Sequence, residues 1–127
     1  MAVVKIILGI VIGIALGLGV VMLGDKLNHM MFPPPAPQDW PEYAFSAPVH
    51  KLIALPITYT IAAFAAAFVA VKIAARAWAG WIAGGLLVAA TFANLFLIPH
   101  PLWMMAACIV SVPAAAWFGA KLAAPKA

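Results

Sequence analysis

Residues 3–23 read VVKIILGIVIGIALGLGVVML, an apolar run broken by one charge, at Lys5. A hydrocarbon core about 30 Å thick takes about 20 helical residues to cross. The run meets that length, and three more follow at residues 52–71, 77–98 and 102–120. One long and two short connections separate them. The pattern predicts an all-α fold: a four-helix transmembrane bundle with short loops and one longer Pro- and aromatic-rich loop at residues 25–50. Residues 1–127 then form a single four-helix transmembrane domain, with no room for a separate soluble one.

Composition agrees. Hydrophobic residues make up 68% of the chain and charged residues 8%, too few to solvate a water-soluble globule. The seven basic residues sit at the ends of the runs, without a basic stripe or an RNA-binding motif, so no nucleic acid partner is expected. The one cysteine, Cys108, lies inside the fourth run and excludes an intrachain disulfide. The first run exceeds a secretory h-region and no A-x-A site follows it, which predicts a retained helix.

Four crossings sort the charges. Lys5, Lys72, Arg76, Lys121 and Lys126 fall on one side with no acid. Lys26, Lys51, Asp25, Asp39 and Glu42 fall on the other. Short loops rich in Lys and Arg stay in the cytoplasm, so both termini are predicted cytoplasmic. Trp78, Trp81 and Trp117 fall near the inner interface and Trp103 near the outer one, as an aromatic belt requires.

Within the spans, small residues recur at helical spacing. Gly9, Gly13 and Gly17 share one face of the first helix, Gly80 and Gly84 one face of the third, and Ala62, Ala66, Ala70 and Ala74 one face of the second. Lipid gives helices no hydrophobic reason to associate, so close backbone approach over small residues supplies much of the attraction. The expected partner is another helix of the chain, with a second copy as the alternative.

The first helix is expected to continue beyond the membrane through Asp25 and His29, an i, i+4 pair, until Pro33-Pro34-Pro35 ends it. A polyproline strut through Pro37 and an aromatic segment with Trp40, Tyr43 and Phe45 follow, lying on the outer surface or over the bundle. Pro99-His100-Pro101 allows only a tight turn between the last two helices. Pro113 falls inside the fourth helix.

Chemistry is sparse. No ionisable acid or base falls mid-span, which argues against a proton-coupled transporter. No nucleophile with a paired base is visible, so an enzyme is not expected, nor any cofactor. Thr91, Asn94 and Ser111, with Thr58, Tyr59 and Thr60, are the polar groups in or near the spans; interhelical hydrogen bonds would use them, and a solute path would be lined by Thr91, Asn94 and Ser111. His29, His50 and His100 all fall on the outer side, near Met30, Met31, Met104 and Met105. Histidine with thioether suits copper, and histidine with carboxylate suits zinc.

Three features together carry a resemblance. They are His29-Met30-Met31-Phe32-Pro33-Pro34-Pro35, the run Asn94-Leu95-Phe96-Leu97-Ile98-Pro99-His100-Pro101-Leu102-Trp103, and the glycine-rich first helix. They resemble a widespread group of small bacterial membrane proteins of four helices, with Ile98-Pro99-His100-Pro101-Leu102-Trp103 the most specific part. The group has no assigned activity, so the resemblance implies the topology and no mechanism. Asp39-Trp40-Pro41-Glu42-Tyr43 is more aromatic than the glycine- and acid-containing first loop of that group.

The expected function is non-catalytic: a small accessory or structural subunit that packs against a larger membrane complex or itself, in contact with lipid. The alternatives are a small transporter or channel for a neutral or apolar solute, and an outer-face copper- or zinc-binding protein.

Overall fold

A computed structural model describes residues 2–33, 39, 42–43, 49–97 and 100–124. Four long helices account for most of them: α1 (Ala2–Met31), α2 (Ala54–Ala74), α3 (Ala77–Leu97) and α4 (Leu102–Ala123). One further turn, Val49–Leu52, leads into α2. Among the described residues there is no strand. Each long helix is long and apolar enough to cross a membrane. The chain is therefore a small all-α membrane protein, a four-helix bundle. The strut through Pro37, Trp40 and Phe45 of the aromatic segment, Ile98-Pro99 of the last turn, and Lys126 lie outside the described residues.

The centre of the bundle is α2. It packs extensively on α1, α3 and α4; α3 also touches α1 and α4, while α1 and α4 share no comparable contact. Alanine makes this possible. Ala62, Ala66 and Ala70 turn one narrow face to α1, and Ala67 turns another to α3. All four are fully buried.

Opposite those alanines stand glycines. The buried residues of α1 are Gly9, Gly13, Gly17 and Asn28; Ile14, Val20 and Val21 pack partly buried against the core, and most of its other large side chains are exposed. A Cβ placed on Gly13 would lie 2.5 Å from the Ala66 carbonyl oxygen, and one on Gly9 2.7 Å from that of Ala70. Only hydrogen fits there. On α3, Gly80 and Gly84 let Val71, Ala67, Ala116 and Ala120 close in from both neighbours. On α4, Gly119 rests against the Phe64 carbonyl, 2.6 Å from where a Cβ would be. Gly19 and Gly85 face open space.

These contacts fix direction. Gly9 opposite Ala70 and Gly17 opposite Ala62 make α1 and α2 antiparallel. Thr60 beside Ser111 and Phe64 beside Gly119 make α2 and α4 parallel. Between α2 and α3 stand only Ala75 and Arg76. Ala75 closes α2 in the left-handed conformation (φ 58°), its N–H donating to Val71 O at 2.7 Å. Pro101 starts α4 by accepting from the Met104 and Met105 N–H groups, both at 3.1 Å. The bundle thus has a terminal end, with the start of α1, the α2–α3 link and the end of α4, and a loop end opposite.

Candidate functional site

Two places on this frame carry features beyond helix packing. The first is a polar cluster at the loop end, where α1, α2 and α3 meet. Asn94 of α3 donates from Nδ2 to the Tyr59 hydroxyl of α2 at 2.7 Å. Thr91, one turn deeper, is buried and donates to Leu87 O at 2.8 Å. Asn28 and Thr58 are also buried.

Asp25 belongs to the same cluster. On the part of α1 expected to continue beyond the membrane, one of its carboxylate oxygens, Oδ1, is buried against the bundle with no hydrogen-bond partner among the described residues. The carboxylate lies within electrostatic reach of both Tyr59 and His29. The cause is the register of α1. Continued past Gly17, its packing face reaches Gly24, which meets the Thr58 side chain, and then buried Asn28. Asp25 flanks that seam. The 3–4 spacing was readable in the sequence; that the seam extends so far was not.

The histidines do not gather. His29 and His50 are exposed, and His50 stands edge-on to Phe32 with ring centroids 5.7 Å apart. His100 is 5% exposed, at the entry to α4. Among the described residues no three His, Cys, Asp or Glu side chains are grouped to hold a metal ion. Met104 and Cys108 are buried in the core, whereas Met30 and Met31 are exposed.

The second place is an apolar groove between α2 and α4. Two open cavities of about 580 and 290 Å³ adjoin there and share Thr60, Ile61 and Ser111. The larger extends toward the terminal end between Phe64 and the pair Trp117 and Phe118. The smaller extends toward the loop end past Ile57 and Ala107.

Its polar groups are satisfied internally. Thr60 donates to Pro56 O at 2.7 Å and lies 3.0 Å from Ser111 Oγ. A hydroxyl has one proton to give, so Ser111 is the donor of that second bond. Thr91 bonds to its own helix and Asn94 to Tyr59 at the loop end, whereas Ser111 lines the groove. Sequence reasoning picked out the polar residues but not their pairing, nor Asp25 as a member of the cluster. The chain matches no family model, no curated protein and no solved structure.

Proposed function

We propose that the protein is a non-catalytic accessory or structural subunit of a bacterial inner membrane, with both termini in the cytoplasm. In this reading it packs against a larger membrane complex or a second copy. The carrying observation is how the polar groups of the spans are spent. Thr60, Thr91, Asn94 and Ser111 all bond inside the bundle. What is presented outward is apolar, most of all on α1, where Ile7, Val11, Leu18 and Met22 are exposed. Such a molecule has surface for lipid and for other helices and little for turnover.

Photo-crosslinking in native membranes tests this. A crosslinking residue replaces Val11 or Leu18, both on the open side of α1. Adducts to one defined second chain support the reading. A protein that yields only lipid adducts and purifies as a monomer refutes it. Cysteine labelling of the chain ends from outside the cell tests the orientation; external labelling of a terminus overturns it. Cys108 is buried and gives no background.

A further inference from the structure

The α2–α4 groove runs toward the terminal end of the bundle. There the walls become a cluster of rings. Phe64 stacks on Phe68 with centroids 5.7 Å apart and tilts against Phe118 at 6.3 Å. Trp117 lines the groove beside them. Two lysines rest on these rings. Lys72 Nζ is 5.6 Å from the Phe68 centroid, and Lys121 Nζ is 4.7 Å from that of Trp117. Both lysines are exposed. The chain's acidic side chains, Asp25, Asp39 and Glu42, all precede α2. Asp25 stands at the loop end, and Asp39 and Glu42 fall in the α1–α2 connection.

We propose that the terminal half of this groove binds one acyl chain of an anionic phospholipid, with the headgroup phosphate held by Lys72 and Lys121. Length supports the match. From Lys121 back to Ser111 is about 15 Å along the helix at 1.5 Å per residue, half of a hydrocarbon core of about 30 Å. The chain would lie along Phe64, Ala114 and Phe118 and end at the Thr60–Ser111 pair. Both hydroxyl protons of that pair are used within the bundle, Thr60's on Pro56 O and Ser111's on Thr60, so the chain tip meets no unsatisfied donor. Charge supports the class of lipid. Ammonium groups on flexible stems, laid over aromatic faces, are placed where a phosphate sits at the interface. The inference does not depend on any protein partner.

The test uses the full chain in phosphatidylcholine vesicles containing a minor fraction of brominated phosphatidylglycerol or, separately, brominated phosphatidylcholine. Bromine on the acyl chain quenches nearby tryptophan. The Trp117 component is the difference between wild type and Trp117→Phe. The anionic lipid should compete for the site with an advantage of about five-fold per lysine. Lys72→Gln with Lys121→Gln should abolish that preference, while the two arginine substitutions should retain it. These side chains are exposed, so neither change touches the core. Ala114→Phe, also at an exposed position, should fill the groove and reduce quenching by both lipids. Equal quenching by the two lipids in wild type overturns the proposal. So does a preference that survives the glutamine variants, or quenching that Ala114→Phe leaves intact. If neither lipid quenches Trp117, another helix, such as that of a second copy, covers the groove and the proposal fails.

Discussion

Replacing Gly13 by alanine should loosen α1 from α2, and the structure sets the size of the effect. The added Cβ would sit 2.5 Å from the Ala66 carbonyl and 3.1 Å from Ala70 Cβ, where ordinary contact begins at 3.4 Å. The carbonyl is backbone inside the central helix and cannot rotate away. α1 must therefore retreat by about 0.9 Å at this point. A radial gap of about 0.5–1 Å forfeits roughly a quarter to a half of each contact's attraction. Gly9 and Gly17 share the seam, so their contacts weaken as well. Overpacking of this kind costs about 1–3 kcal/mol. Alanine in a helix returns about 1 kcal/mol relative to glycine, but that gain is common to any glycine of α1. Gly19→Ala supplies the reference, because Gly19 has nothing within 4 Å of its Cβ position. The two variants should therefore differ by the packing cost alone, about 1–3 kcal/mol, with Gly19→Ala neutral or stabilised. Equilibrium unfolding by a denaturing detergent in mixed micelles, followed by helical circular dichroism, measures the difference. If the variants unfold within about 0.5 kcal/mol of one another, the close approach of α1 to α2 is not what holds α1 in place.

Three further outcomes are expected. Ala75→Gly should stabilise the bundle by about 1 kcal/mol, since a left-handed residue at a helix end favours glycine; thermal unfolding in detergent reads it, and no change or a loss argues against a strained link. Tyr59→Phe and Asn94→Leu should show a coupling of about 0.6–1.7 kcal/mol in a double-mutant cycle, the range for interhelical hydrogen bonds in membranes, and additive effects would dissolve the pair. Asp25→Asn should leave stability unchanged or raise it, because an unpartnered buried carboxylate oxygen costs more than an amide; a clear loss in the same unfolding assay would mean that the carboxylate holds a partner.

The loop-end cluster shows where reading the chain stops. Asn94 stood out because an amide in an apolar run must find partners, and Tyr59 was visible as a polar group in another run. Their bond joins residues 35 apart in sequence, and no local pattern pairs them. Asp25 was legible as an i, i+4 partner of His29; that one of its oxygens turns into the bundle depends on the register of α1 against α2, which no local pattern carries. The histidines were grouped by topology alone, and side-chain direction separates them: His100 turns inward while His29 and His50 turn out.

What the sequence determined by itself was local: four apolar lengths matched to a bilayer, proline stops, and glycine or alanine at every fourth position along a helix. Each follows from the geometry of one helix and the thickness of one solvent. The tertiary structure alone decided that α2 is the centre, that Ala67 serves α3 while Ala66 serves α1, and that α2 and α4 leave an apolar groove with a ring cluster at its terminal end. In water, burial would have separated inward from outward residues along each helix. In lipid both sides are equally apolar, and the choice falls to how closely particular backbones can approach.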